Sequence, residues 1–369
     1  MYAVLTVLVP TRNRPVQCAA LLRFYSDNGL IHPILVADSS DSESAEKVCL
    51  AASGVAEYRH FSQTLRLVDK LLKIIPEIGT PFIAVTPDDD ITLPHAIEAS
   101  LSHLKDNRDF IAAHGYLLNF AIYKNNFDVH GVSGFTPTIG EADPLRRHYH
   151  LMRRYQPFYW GVFRTEILAA ALAAAQAMQG IMFRELTVMN IAILHGKVAR
   201  LPVIYGMRGT SQSHTSISES HPLHWFLRDA QSFVEGYRTY RDNLARKIRD
   251  MSVGEPREAS IEQLLDIVHG IFLQQNLAHG IMNHEVRRLL GDPLPAVPTP
   301  AVWSGWHEPE WRDLTHRSKI SDRRYVWRSR VLKAEPRDEI VIHQKEISKV
   351  EQQLDLYSLV GGTVGVENC

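Results

Sequence analysis

Three adjacent carboxylates, Asp88, Asp89 and Asp90, close an apolar run that begins at Phe82. Like charges at this spacing repel, and a fold keeps them together most cheaply by placing a divalent cation between them. The β-branched run is bounded by Pro81 and Pro87, which predicts a buried strand with the acids just past its end. The competing use is a solvated acidic turn capping a helix that starts near Pro94, because Asp is favoured at helix N-termini. Taken alone, the triplet serves either purpose equally well.

The elements around it narrow the choice. From Ala3 to about Ile122 short apolar strands alternate with amphipathic helices. The predicted strands are Ala3 to Val9, Pro33 to Ala37, Val55 to His60, Phe82 to Val85 and Phe110 to Ala113. The helices between them are Val16 to Ser26, Ser44 to Ala52, Leu65 to Ile75 and Ala96 to Leu104. Such alternation predicts an α/β fold with a doubly wound, mainly parallel sheet. Ligands of such sheets bind outside the carboxyl ends of the strands. That rim collects Thr11, Arg12 and Arg14 after the first strand, Asp38-Ser39-Ser40-Asp41 after the second and the acid triplet after the fourth. Arginines pair with phosphate oxygens, and a metal held by the acids would neutralise a pyrophosphate from the other side. Asp38 is placed to accept from a base or sugar edge, although 38–41 would equally make a turn and helix cap. A Gly-rich dinucleotide turn and a lysine phosphate loop are both missing, so nucleotide binding here would rest on side chains and metal.

Composition excludes several classes. The chain has 369 residues, 45% hydrophobic and 22% charged, with a formal net charge of -1, so nothing in the total argues for nucleic acid. Cys18, Cys49 and Cys369 are too scattered for a zinc site and suggest a reducing compartment. Met1 to Val9 lacks a basic leader and a cleavage site and runs into Pro10, so it reads as a first strand and not a signal peptide. Ile167 to Phe183 is too short and too polar to span a bilayer. A cytoplasmic protein is the expectation.

The segments Val-Leu-Val-Pro-Thr-Arg-Asn-Arg-Pro at 7–15, Val-Ala-Asp-Ser-Ser-Asp at 36–41 and Thr-Pro-Asp-Asp-Asp-Ile-Thr-Leu-Pro at 86–94 together resemble the nucleotide-sugar half of family two glycosyltransferases. Those enzymes have the A-type fold, and the resemblance covers about residues 1–215. It implies that Thr11 and its neighbours line the nucleotide site, that Asp38 reads the base and that Asp88 touches the ribose. A later acid of the triplet would bind Mn²⁺ or Mg²⁺: the register set by Pro94 favours Asp89, and reading Asp88-x-Asp90 as the family's Asp-x-Asp favours Asp90. The second acid usual after Asp38 is Ser39 here. The implied donor is a nucleotide-diphosphate sugar, UDP first, and the implied acceptor a glycan or lipid-linked hydroxyl in surface glycan synthesis.

Direct displacement at a sugar carbon needs a carboxylate to take the acceptor's proton, and Glu185, at a predicted helix start, is the candidate general base. The family uses an acidic pair there, whereas Arg184 precedes Glu185 in this chain. A first-turn acid favoured by the helix dipole is the plainer role. Related enzymes also place a His metal ligand and a basic diphosphate contact after the following strand, which points to His214 and Arg208. Tyr116 to Gln156 reads as long loops over the site, with His148, His150, Arg153 and Arg154 either holding a phosphate or covering a solvated helix face. Phe158 to Arg164 would be a sugar-stacking platform or a core strand. Beyond residue 215 long helices predominate: Leu223 to Arg249, Ile261 to Leu290 and Ile340 to Leu359, with a Pro-rich link at Pro293 to Pro300. This extension, 216–369, would cap the catalytic domain or join two copies of the chain. Arg323 to Arg328 would suit the inner membrane surface or a solvated face. Two rival functions stand beside glycosyl transfer. Asp88-x-Asp90-x-Thr92 matches the haloacid-dehalogenase phosphatase motif, and a silent nucleotide- or sugar-binding module would keep the fold without a base.

Overall fold

The computed structural model describes residues 3–123, 126–134, 136–153, 155–209, 225–226, 228–251, 260–276 and 318–319. Its first half follows the alternation of the sequence. Strands β1 (Leu5–Thr11), β2 (Ile34–Asp38), β3 (Glu57–His60) and β4 (Phe82–Val85) alternate with helices α1 (Pro15–Asp27), α2 (Ser42–Ala52) and α3 (Leu67–Ile74). Every residue of β1, β2 and β4 is buried, as expected of strands covered by helices on both faces. The four pair in parallel in the order β3-β2-β1-β4, with Thr11 opposite Asp38 and Leu8 opposite Val85. The chain winds outward from β1 to β3 and then returns to β4 on the other side of β1. The crevice at this switch in strand order lies outside the ends of β1 and β4, where Thr11 and the acid triplet stand.

The rest of the sheet is mixed. After β5 (Asp90–Thr92) and α4 (Pro94–Asp106) come β6 (Phe110–Tyr123), β7 (Asn126–Gly134), α5 (Pro144–Arg153), β8 (Val162–Arg164), α6 (Thr165–Ala175), α7 (Ile181–His195) and β9 (Lys197–Gly209). Strand β8 joins β4 to β6, antiparallel to both, while β9 runs parallel to β6 and antiparallel to β5. The loops expected over Tyr116 to Gln156 are therefore largely a β6–β7 hairpin and helix α5. Gly115, inside β6, is a packing position: a Cβ there would lie 2.4 Å from the Val203 carbonyl oxygen of β9.

Two further helices, α8 (Ala230–Met251) and α9 (Ile261–Asn276), pack on the body, α8 against α7 and α9 against α5 and α8. Trp225 fills a slot between Gly180 and Gly236, beside Phe183 and Phe233. Polar groups cross the same seam: the His148 ring nitrogen Nδ1 lies 2.7 Å from Asn190 Oδ1, Asn190 Nδ2 donates to Tyr240 Oη at 3.0 Å, and Tyr240 Oη meets His269 Nε2 at 3.2 Å. Burial holds His148 down to about 4. His150 reaches Glu141 instead, and Arg154 lies outside the described residues. So do Pro293 to Pro300, Arg323 to Arg328 and Ile340 to Leu359. A short strand β10 (Ser318–Lys319) pairs with β7. No described helix is long and apolar enough to cross a membrane.

Candidate active site

The β1–α1 turn is built by Asn13 in the left-handed region, at φ 53°. Its N–H donates to Ser40 Oγ at 2.7 Å and its Oδ1 accepts from the Asp41 N–H at 2.9 Å, bonds that hold a short polar residue where most side chains would be strained. Pro15 then opens α1, its fixed φ suited to a first helical turn. This turn forms one wall of a cleft of about 790 Å³ lined by Thr11, Arg12, Arg14, Ser39, Lys70, Asp88, Asp89, Asp90, Trp160 and Arg208, among others. Four cationic side chains and three carboxylates face one another there. Such a lining is near neutral by itself and suits an anion that arrives with a cation.

The carboxylates differ in surroundings. Asp88 is buried: its Oδ2 accepts from Thr11 Oγ1 at 2.6 Å and its Oδ1 from Arg14 Nη1 at 3.1 Å. Burial raises its carboxyl to about 6 despite Arg14, and Asp89 adds to the rise. Arg14 Nη1 also donates to Asp89 Oδ2 at 2.5 Å. Asp90 opens β5, paired in register with Arg208 of β9, and their charged groups stand 3.7 Å apart. Among the described residues no group of three His, Cys, Asp or Glu side chains encloses a cation position. A cation of the Mg²⁺ kind needs only one or two carboxylates when substrate phosphates complete its shell, and Asp89 and Asp90 in this cleft fit that requirement. His214 lies outside the described residues.

Asp38 has another place. It is wholly buried, does not line the cleft, and accepts from the Ser40 N–H at 2.8 Å, from Ser40 Oγ and from Tyr58 Oη at 2.9 Å. Both oxygens accept bonds inside the protein, and these fix the shape of the 38–41 loop. Asp41 caps α2, accepting from the Ser44 N–H at 2.8 Å. The phosphatase geometry is not favoured either: both oxygens of Asp88 are engaged, and Thr92 is buried in β5 opposite Gly206.

Lys70 is the residue that sequence reading passed over. Its ammonium, on α3 and buried beneath the cleft, donates to the Thr11 carbonyl at 2.7 Å and to Ser39 Oγ at 3.1 Å. Burial lowers it to about 8, with Asp38 and Asp88 pulling the other way. A lysine four residues before Ile74 falls on the buried side of α3, and that spacing was the available signal.

The aromatic run points in two directions. Phe158 stacks on Phe163 in the core, at 5.7 Å and 20°, while Trp160 lines the cleft. Glu185 stands in the second turn of α7, past the first-turn position expected of a dipole-favoured acid, and is not among the cleft-lining residues. Its Oε1 accepts from Tyr155 Oη at 2.8 Å; burial raises its carboxyl, while Tyr155 and then Arg208 hold the rise in check. Its neighbour Arg184 turns away to Asp69 of α3 at 2.9 Å and to the Met178 carbonyl.

No family model and no curated protein matches this chain. Solved structures are similar to it. Staphylococcus aureus TarS residues 1–349 in complex with UDP-GlcNAc aligns at 15% identity and a TM-score of 0.49, over 76% of this chain and 74% of that one. A Pyrobaculum calidifontis mannosyltransferase in complex with GDP-Man and Mn²⁺ aligns at 14% and 0.41, over 79% of each chain. Glucosyl-3-phosphoglycerate synthase from Mycobacterium tuberculosis, in complex with Mn²⁺, UDP and phosphoglyceric acid, aligns at 11% and 0.38, over 69% and 80%. The likeness is distant, and the chemistry assigned to this chain comes from its own residues.

Proposed function

We propose that this chain transfers a sugar from a nucleotide-diphosphate donor to an acceptor hydroxyl, with inversion at the anomeric carbon. The observation that carries the reading is the cleft at the strand-order switch, where Arg12, Arg14, Lys70 and Arg208 face Asp88, Asp89 and Asp90. Arg12 is exposed and Arg14 and Arg208 are partly so, which suits them to the diphosphate oxygens. Lys70, bound to the end of β1, supplies a fixed charge from the floor. Asp89 and Asp90 are the residues that would hold a divalent cation, Mn²⁺ or Mg²⁺, which when bound offsets the charge of a leaving diphosphate. Asp88 keeps Thr11 and Arg14 in place. Glu185 takes the acceptor hydroxyl's proton: its carboxyl, raised by burial, is a stronger base than an exposed glutamate, and Arg208 couples it electrostatically to the cleft. Trp160 offers a partly exposed ring for stacking a sugar.

A thermal-shift screen of UDP, GDP, CDP and dTDP, each with and without Mn²⁺, tests this directly. A ligand at a hundred times its dissociation constant stabilises the native state by about 2.7 kcal/mol. UDP with Mn²⁺ is expected to raise the melting temperature, and Asp90→Asn to remove the metal-dependent part. If no nucleotide raises it with metal present, the transferase reading fails.

A further inference from the structure

We propose that Tyr155 is a positioning residue for the Glu185 carboxylate, held in place by Phe272 of α9, so that the helical segment following the catalytic body reaches the reaction centre through this contact. The inference rests on the reading of Glu185 as the base. Tyr155 lies between α5 and β8 in a stretch without regular structure, so the local backbone ladder does not fix it. Two contacts do. Its hydroxyl donates to Glu185 Oε1 at 2.8 Å, and its ring meets the buried Phe272 ring edge to face, with centroids 5.4 Å apart and planes at 77°. Phe272 stands one helical turn beyond His269, whose ring lies 5.3 Å from His148 of α5, so α9 is anchored next to the residue that holds Tyr155.

The charged and titratable groups around Glu185 come from four directions. Tyr155 bonds it, Tyr159 lies beside it in the turn before β8, Arg208 acts from β9, and its neighbour Arg184 is tied to Asp69 of α3. Of these, Tyr155 alone hydrogen-bonds the carboxylate. A phenol that donates to one oxygen leaves the other for an incoming hydroxyl and restricts rotation of the carboxylate. It also favours the charged form against the penalty of burial. Burial and Glu185 together raise Tyr155 well above the ordinary phenol value, so it stays a donor across the range in which the carboxylate titrates.

The test is a ¹³C NMR titration of the glutamate side chains in the full chain, with the Glu185 resonance assigned by its loss in Glu185→Gln. Tyr155→Phe is expected to raise the Glu185 midpoint by about one pH unit, as loss of a hydrogen bond to the charged form does. Phe272→Leu, which keeps apolar volume in the seam, is expected to move it the same way by a smaller amount. A Tyr155→Phe midpoint equal to the parent's overturns the positioning role. A Phe272→Leu midpoint equal to the parent's overturns the part assigned to α9. Hydrolysis of UDP-glucose with Mn²⁺ separates these from the underlying reading: turnover retained in Glu185→Gln removes Glu185 as base, whatever the titrations show. Turnover lost in that variant, together with a shifted midpoint in Tyr155→Phe, supports both.

Discussion

Acid should loosen the seam between the catalytic body and α8–α9, and the size of the effect follows from His148. The imidazole is fully buried, bonds to Asn190, and faces His269, which is itself held well below the ordinary value by burial, by His148 and by Arg241. Burial puts His148 at about 4 in the folded state, against about 6.5 in an unfolded chain. Between those values the unfolded state carries the proton and the native state does not, so stability is lost as pH falls through that window and is complete above it. At pH 5 the single group costs about 2 kcal/mol, and at the acid limit about 3 kcal/mol. Urea unfolding of the parent and of His148→Leu at pH 7 and pH 5 measures this, since ΔG falls linearly with denaturant. The replacement also strands Asn190, so the comparison that matters is each protein's own loss between the two pH values. That loss should be about 2 kcal/mol smaller in the variant. Equal losses would refute the argument that a neutral His148 carries the acid sensitivity.

Three other perturbations have definite outcomes. Arg147 donates to the carbonyls of Ile193 and Leu194 at the end of α7 and to those of Glu141 and Ala142; Arg147→Met should cost about 2–4 kcal/mol in urea unfolding, and Arg147→Lys should not recover it, because one ammonium cannot span the four. Gly180 has φ 69° and a Cβ there would sit 2.5 Å from the Trp225 ring, so Gly180→Ala should cost at least about 1–2 kcal/mol from the backbone alone and shift tryptophan fluorescence to the red. Lys70→Met should weaken UDP binding in the presence of Mn²⁺ by at least about tenfold by calorimetry, the loss of one charge-assisted contact, with the circular dichroism spectrum retained.

The rim of the parallel half was legible because β1, β2 and β4 are short apolar runs stopped by polar residues, so their ends could be read off the chain. What lies beneath the rim was not. Asp38 reads along the chain as a rim residue, and only the pairing of β2 with β3 brings Tyr58 within hydrogen-bond reach of it. Lys70 sits in an amphipathic helix, where a lysine ordinarily reads as solvated, and its burial depends on the end of β1 offering a carbonyl. Tyr155 and Phe272 meet across a long stretch of chain through the packing of α9 on α5, which periodicity within either segment does not specify. The β6–β7 hairpin was hidden by His114 and Gly115, polar and small residues that interrupt the apolar pattern without interrupting the strand.

The short ladder between β5 and β9 sets where this protein can be lengthened. Asp90 and Arg208 are far apart in sequence yet occupy paired positions, and two residues along Gly206 opposes Thr92 so closely that a Cβ would lie 2.3 Å from the Ile91 carbonyl oxygen. That contact acts as a stop against sliding. Residues added in connections outside the ladder leave the two charges facing each other, whereas one residue inserted between Gly206 and Arg208 would turn the guanidinium to the opposite face of the sheet. Any redesign of the cleft that grafts new loops therefore has to begin outside the ladder and treat 90–92 and 206–208 as one fixed piece.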